Sequence, residues 1–281
     1  MGEPRWYREL VRDAYGLTIR IDRMLVETQS PFQKIAVFEN AVLGRVMTLD
    51  GAMMLTERDE PNYHEMLVHP AIFAHPQPRR VLVIGGGDGG ALREIVKHPE
   101  VEEAVLCEID PAVIEAARAH LPFTAEGFAS PKARVHVGDG VEFIRAHKAS
   151  FDVILVDSTD PKGFAEGLFR APFYEDVKRA LRTPGIFVQQ TESPWYEDVD
   201  WPRAYAELGK IFAGVYPYGA AIPMYPTGYW TFAFASDQLD PWNQYDPGRA
   251  ARLTGLKYYA PEHQRAAFAL PAAAARRLKA L

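Results

Sequence analysis

In the segment VILVDSTDPKGFAEG, which begins at Val153, Asp157 and Asp160 stand at the end of a run of four apolar residues, Val153 to Val156. The apolar run reads as a buried strand, and the proline and glycines that follow read as an exposed turn. Two negative charges at the mouth of one strand repel each other unless a cation lies between them. The arrangement recurs: Asp88 sits among the glycines at 85, 86, 87, 89 and 90 after RRVLVI, Glu108 closes AVLCE, and Asp139 with Gly140 follows ARVHVG. These acids fall at the carboxyl ends of successive strands, the edge of an open α/β sheet where ligands bind. Together they predict a ligand set that carries several positive charges.

Each acid suggests a task. Glycines after a strand let a ligand approach the backbone closely, and the glycine pattern alone suits a dinucleotide as well. Asp88 discriminates, because a diphosphate is cradled by bare backbone N–H groups that a carboxylate would spoil. A cationic nucleoside fits better: an S-adenosyl sulfonium bearing an amine, with a diamine or polyamine supplying the remaining charge. Glu108, twenty residues after Asp88, is suited to ribose hydroxyls. Asp139 is suited to an adenine amino group, with the adjacent N–H donating to a ring nitrogen; a capped turn is the alternative. Asp110, before Pro111, reads as a helix cap.

The elements that must position these residues follow from periodicity. LTIRID and KIAVFEN alternate, and RVMTLDG and AMMLTE follow after turn residues, so residues 1–60 read as antiparallel hairpins. A helix opens at RDEPNYHEMLVH with Pro61 in its first turn, and Pro70 is expected to end or kink it. From residue 79 to about 190, strand and helix patterns alternate, the signature of a parallel sheet with helices on both faces. Another helix is expected near 200–213, then strand-like pieces and a terminal helix. Tyr229, Trp230 and Phe232 read as core packing. The boundary falls near residue 60, giving an N-terminal β-domain (1–60) and an α/β domain (61–281).

Composition narrows the classes. A net charge of −6 argues against nucleic acid, which needs a basic face. No run of about 18 apolar residues and no secretory pattern are present, so neither a membrane span nor export is indicated and a cytoplasmic protein is expected. The single cysteine, Cys107, excludes an internal disulfide and a cysteine-based zinc site, and reads as a small core residue.

The motifs GGGDGG, EID, GDG, DSTDP, AEGLF and QTESP occur in an order and spacing that resembles the polyamine aminopropyltransferases, the spermidine synthases among them. PFQ (31–33), TERDE (56–60), YHEM (63–66), YPTG (225–228) and HQRAAFALP (263–271) extend the likeness over nearly the whole chain. The resemblance implies a methyltransferase-like Rossmann domain behind a small antiparallel β-domain, assembled as a homodimer or homotetramer. It implies aminopropyl transfer from decarboxylated S-adenosylmethionine, a co-substrate rather than a resident cofactor, to putrescine, giving spermidine and methylthioadenosine. Acceptors such as cadaverine, agmatine or spermidine, and methyl transfer from intact S-adenosylmethionine, are the alternatives. It implies no metal. Gln33, Gly85, Gly86, Glu108, Asp139, Gly140 and Phe164 would hold the nucleoside, and Asp88 the donor's ammonium. Asp157 would accept the proton, with Ser158, Thr159, Asp160, Tyr63, His64 and Tyr225 lining the polyamine channel and Trp6 closing it. An unaided aspartate is a poor base for an ammonium, roughly 6 pKa units and about 8–9 kcal/mol short. Asp157 is therefore expected mainly to position the amine and to take the proton as the C–N bond forms. Met54, Pro61, Asn62, Lys162 and Phe164 depart from the family's usual residues; Lys162 is expected to point to solvent and pair with Glu166.

Overall fold

The computed structural model describes residues 4–161, 163–195 and 200–279. Two small antiparallel sheets come first. A hairpin joins β1 (Arg5–Val11) to β2 (Tyr15–Ile21), and a meander runs through β3 (Arg23–Gln29), β4 (Lys34–Asn40), β5 (Gly44–Leu49) and β6 (Ala52–Thr56). The sequence pattern marked β2, β4, β5 and β6 but not β1 or β3. Both are largely exposed, so neither carries the one-sided apolar alternation that identifies a half-buried strand.

Helix α1 (Glu60–Ala74) leads into alternating elements: β7 (Arg80–Gly85), α2 (Gly90–Val96), β8 (Glu103–Glu108), α3 (Pro111–His120), α4 (Pro122–Ala125), β9 (Ala133–Val137), α5 (Gly140–Arg145) and β10 (Phe151–Asp157). Then come α6 (Ala171–Ala180), β11 (Leu181–Gln190), α7 (Asp200–Ile211), β12 (Gly214–Ala221) and β13 (Tyr229–Ser236). The seven strands order as β12-β13-β11-β10-β7-β8-β9. Strands β9, β8, β7, β10 and β11 run parallel, and the β12–β13 pair closes the edge antiparallel.

The unbroken apolar run in β10 now has its reason. Val153 and Leu155 enter a core shared with α1 and α2, while Ile154 and Val156 enter a second core shared with α5, α6 and α7. A central parallel strand covered on both faces has no polar face to alternate with. The four-stranded sheet docks through Ile35, Val37, Met47 and Leu55 onto Val113, Ala116 and Ala117 of α3. Its other face meets Tyr7 and Ile19 of the first hairpin.

Pro70 does not end α1, which continues through it to Ala74. A helical proline leaves the carbonyl four residues earlier without its donor. Here the Tyr218 hydroxyl supplies one, donating to Met66 O at 2.8 Å, with both residues fully buried. Tyr218→Phe should therefore lower stability by about 1–3 kcal/mol, the cost of a buried carbonyl left unmatched. Urea unfolding followed by circular dichroism measures this, and an unchanged midpoint would show that the carbonyl is satisfied without Tyr218.

Candidate active site

Strand order reverses at β7, whose neighbours are β10 on one side and β8 on the other. Such a switch point opens a crevice at the carboxyl ends of the strands. Gly85, ending β7, pairs in register with Asp157, ending β10. A cavity of about 450 Å³ occupies this crevice, roofed by Phe32, Gln33 and Leu49 of the N-terminal region. The glycines are required by contact as well as by conformation. Gly85 has φ +80°, and a Cβ there would lie 2.1 Å from Asp157 O; one on Gly86, at φ +68°, would lie 2.7 Å from Asp157 Oδ2. Gly86 N also donates to Asp157 O at 2.8 Å, fastening the loop to β10.

At the charged end, side-chain atoms of His64, Asp88 and Asp157 lie within 4.8 Å of one another. His64 is held from both sides, its Nδ1 2.6 Å from Glu60 Oε2 and its Nε2 3.3 Å from Asp88 Oδ1. Burial works against a charge on this ring, and the Asp88 and Glu60 carboxylates overcome it, holding His64 protonated well above the usual histidine range. Against the same cost of burial, His64 and the Gly90 N–H hold Asp88 below the usual carboxylate range. Asp157 goes the other way: burial, then the Asp88 charge, push its carboxyl up to about 6. Its Oδ2 is buried without a hydrogen-bond partner. The two carboxylates of this group suit an organic ammonium, which donates to them.

The two tyrosines complete this end. Burial, then the Asp157 charge, push the Tyr63 and Tyr225 hydroxyls well above the usual tyrosine range, so both stay neutral. Tyr225 donates to Met54 O at 2.9 Å, which commits its proton and leaves its oxygen to accept from an amine. Met54 lines the cavity where its side chain makes an apolar wall. Ser158 and Thr159 also line it, their carbonyls held by Gln190 Nε2 at 3.1 and 3.4 Å.

At the other end, carboxylates are fixed by backbone. Glu108 accepts from Gly87 N at 3.1 Å and Asp110 N at 2.8 Å, while burial, then the Asp110 and Asp88 charges, push it up to about 7. Asp110 caps α3 through Ala112 N at 3.0 Å, as read from sequence, and also accepts from Ser30 Oγ at 2.6 Å and Gln33 Nε2 at 3.1 Å. Gln33 is thereby aimed into the cavity. Asp139 caps α5 by accepting from Val141 N at 2.7 Å, and it lines the cavity with Gly140, so the two readings of this residue are compatible. Phe164, two-thirds exposed, meets Phe32 edge-on at 5.2 Å across the mouth. Cys107 is buried as expected, its thiol pushed up to about 12 by burial, and it also touches the cavity wall.

Two expected residues lie outside the cavity lining. Trp6 is 47% exposed on β1 and borders a separate small recess with Met24 and Phe38, so it does not close this cavity within one chain. Asp160 lies beyond the lining, though its charge reaches Tyr225. Lys162, with its expected pairing, falls outside the described residues; Glu166 pairs with Arg170. Asn62 binds Ala221 O at 2.9 Å, tying α1 to the edge of β12. Sequence reasoning passed over Glu60, Arg93, Gln190 and Trp230. Trp230, assigned to the core, donates from Nε1 to Gln190 Oε1 at 3.0 Å and so steadies the residue that holds the 158–159 loop. The i, i+4 spacing of Glu60 and His64 was the one available signal.

Comparison with known proteins follows the same lines. Residues 60–246 match the spermine/spermidine synthase domain, and residues 5–57 match the spermidine synthase tetramerisation domain. A polyamine aminopropyltransferase of Desulforudis audaxviator is 44% identical over 95% of this chain and 96% of its own length. One from Thermotoga maritima is 45% identical over 95% and 91%. A crystal structure of a spermidine synthase in complex with the transition-state analogue AdoDATO superposes with a TM-score of 0.96 at 43% identity, covering 99% of this chain and 97% of that one. The spermidine synthase of Thermotoga maritima superposes at 0.95 with the same identity and coverage. On this evidence the chain belongs to the spermine/spermidine synthase family of polyamine aminopropyltransferases.

Proposed function

We propose that the protein transfers the aminopropyl group of decarboxylated S-adenosylmethionine to putrescine, giving spermidine and methylthioadenosine, with Asp157 accepting the proton. The observation that carries this reading is the Asp88–His64–Asp157 group, in which two carboxylates face one cavity and a buried Asp157 oxygen has no partner. The donor's ammonium suits Asp88, and the carboxylate of intact S-adenosylmethionine would be repelled there. Glu108 is suited to the ribose diol, Asp139 and Gly140 to the adenine edge, and Phe32 with Phe164 to its faces. A spermidine synthase of nearly identical fold is known in complex with a transition-state analogue, AdoDATO, which supports aminopropyl transfer as the reaction.

The step is a displacement. The acceptor nitrogen's lone pair attacks the methylene carbon bonded to sulfur, the C–S bond breaks, and its electron pair leaves sulfur neutral in methylthioadenosine. The nitrogen's surplus proton passes to Asp157. An ammonium titrates near 10, so a carboxyl at about 6 lies roughly 4 units away, or about 5 kcal/mol, less than for an ordinary aspartate. The sulfonium narrows the gap further by disfavouring a second positive charge beside it. Tyr63 and Tyr225 orient the nitrogen, and much of the rate comes from holding nitrogen, carbon and sulfur in line. The first 57 residues, matching a tetramerisation domain, would join copies into a dimer or tetramer.

Asp157→Asn should lower kcat by about 10²-fold or more while leaving the donor's KM close to wild type. A near-wild-type kcat in a steady-state assay, with products read by mass spectrometry over a panel of diamines, would remove Asp157 from this role. Only the ionised carboxylate accepts a proton, so kcat/KM for the acceptor should fall about tenfold per pH unit below about 6, and Asp157→Asn should abolish that limb. A thermal shift tests the donor: the decarboxylated compound should raise Tm more than intact S-adenosylmethionine, and Asp88→Asn should narrow the difference. Equal shifts in the unaltered protein would favour a methyltransferase.

A further inference from the structure

Behind the reacting groups runs a buried chain of alternating charge. From Asp88 it passes through His64 to Glu60, which the Arg93 guanidinium clasps with both Nη atoms at 2.7 and 2.8 Å. Arg93 Nε donates to Glu94 at 2.6 Å, and Arg93 Nη1 also to Phe123 O at 2.7 Å. Glu94 meets Lys97 at 2.7 Å and His69 at 3.1 Å. Glu60, Arg93 and Glu94 are all buried, and neither Glu60 nor Arg93 lines the cavity. Charges so deep are costly and persist only when paired and hydrogen-bonded.

We infer that Glu60 and Arg93 are positioning residues of this active site, fixing His64 as an imidazolium that spans Glu60 and Asp88 and offsets the repulsion between Asp88 and Asp157. The inference rests on the aminopropyl-transfer reading for its consequence and on geometry for its substance. Each His64 nitrogen faces a carboxylate oxygen, at 2.6 Å and 3.3 Å. Asp88 Oδ1 already accepts from Gly90 N at 2.8 Å, so a bare Nε2 lone pair would point at an acceptor. A proton on Nε2 turns that repulsion into attraction, and with Nδ1 donating to Glu60 it makes the ring an imidazolium. The charged groups facing His64 come from three elements: Glu60 on its own helix α1, Asp88 in the loop before α2, and Asp157 at the end of β10. Tyr63 and Tyr225 present neutral hydroxyls to the same centre, and Arg93 with Glu94 stands behind Glu60. Glu60 is the only one of these that bonds His64 without touching the cavity. Its position in the first turn of a 15-residue helix favours its charge, and the forked Arg93 contact keeps its carboxylate from turning away.

With His64 uncharged, the Asp88 charge would bear on Asp157 unopposed and the base would protonate at higher pH. Glu60→Gln keeps the shape and an acceptor for Nδ1 but removes the charge. It should move the acid limb of kcat/KM upward by about one pH unit, costing about tenfold at pH 6 and little at pH 9. Arg93→Lys, which keeps the charge without the fork, should give a smaller shift in the same direction. The direct readout is ¹⁵N NMR of histidine-labelled protein, with His64 assigned by its loss in His64→Gln. His64 should be doubly protonated at pH 7 in the unaltered protein and neutral at pH 8 in Glu60→Gln. A neutral His64 at pH 7 in the unaltered protein overturns the assignment. So does a folded Glu60→Gln variant, checked by circular dichroism, whose acid limb stays in place. Should Glu60→Gln fail to fold, the same two measurements on Arg93→Lys decide. The NMR readout needs no turnover, so a failure of aminopropyl transfer would not be mistaken for a failure of this arrangement.

Discussion

The structure is organised around two carboxylates that cannot comfortably share one cleft. Asp157 ends β10 and Asp88 lies in the loop that follows the neighbouring strand β7, their oxygens within 4.8 Å. At an effective dielectric of about 20, two unit charges so placed repel by roughly 3–4 kcal/mol. The resident His64 imidazolium offsets part of this and settles the division of labour: Asp88 stays ionised, and Asp157 is left with a raised proton affinity and an unmatched oxygen. The remaining deficit is what a cationic ligand removes on binding. Specificity is a difference of affinities, and repulsion of the wrong ligand serves it as well as attraction of the right one. An anionic group brought to this end meets two carboxylates, and the Gly86 N–H is already committed to Asp157 O.

The opposite end of the cavity works by different physics. Glu108, Asp110 and Asp139 have their oxygens engaged by backbone N–H groups, so their positions are set by strand ends and helix starts rather than by rotamer choice. This suits a rigid, neutral nucleoside. The N-terminal sheet is tied to both ends. Ser30 and Gln33 reach Asp110 at one, while Met54 O accepts from Tyr225 and Asp59 accepts from Met224 N at the other. Asp59 also binds Thr56 Oγ1 at 2.7 Å, so the turn into α1 is fixed at the same point. The small sheet is thus a wall of the cavity.

Much of this was legible in the sequence because it is local. An apolar run ending in glycine and an acid encodes a strand end, and four such runs in succession encode the rim: Asp88, Glu108, Asp139 and Asp157 all line one cavity. The cation among them was less legible. His64 entered through resemblance alone, since a histidine in a buried helix is usually ordinary, and its charge depends on Asp88, twenty-four residues later. Arg93 reads as one more polar helix residue until the fold sets it against Glu60. Pro70 is a similar case, because the donor that serves the freed carbonyl, Tyr218, comes from β12, 152 residues along the chain from Met66. Trp6 illustrates the reverse error: a motif carried a role to a residue whose side chain, in a single chain, faces elsewhere. Local signals fix elements and their ends; compensations that cross the fold have no spacing to read.

The same electrostatics bears on how products leave. In the proposed reaction the donor arrives with a sulfonium and an ammonium, and the acceptor with a distal ammonium beside its neutral attacking nitrogen. After transfer, methylthioadenosine is neutral and Asp157 carries a proton. The sulfur no longer attracts either carboxylate, and the newly made secondary amine faces a carboxylic acid in place of an anion. Burial, which raised Asp157 before the reaction, now favours its neutral form. Release of the polyamine to water restores the ordinary ordering, in which the amine is by far the stronger base. In the proposed reaction, the charge that gathers the reactants would therefore be partly cancelled once transfer is complete.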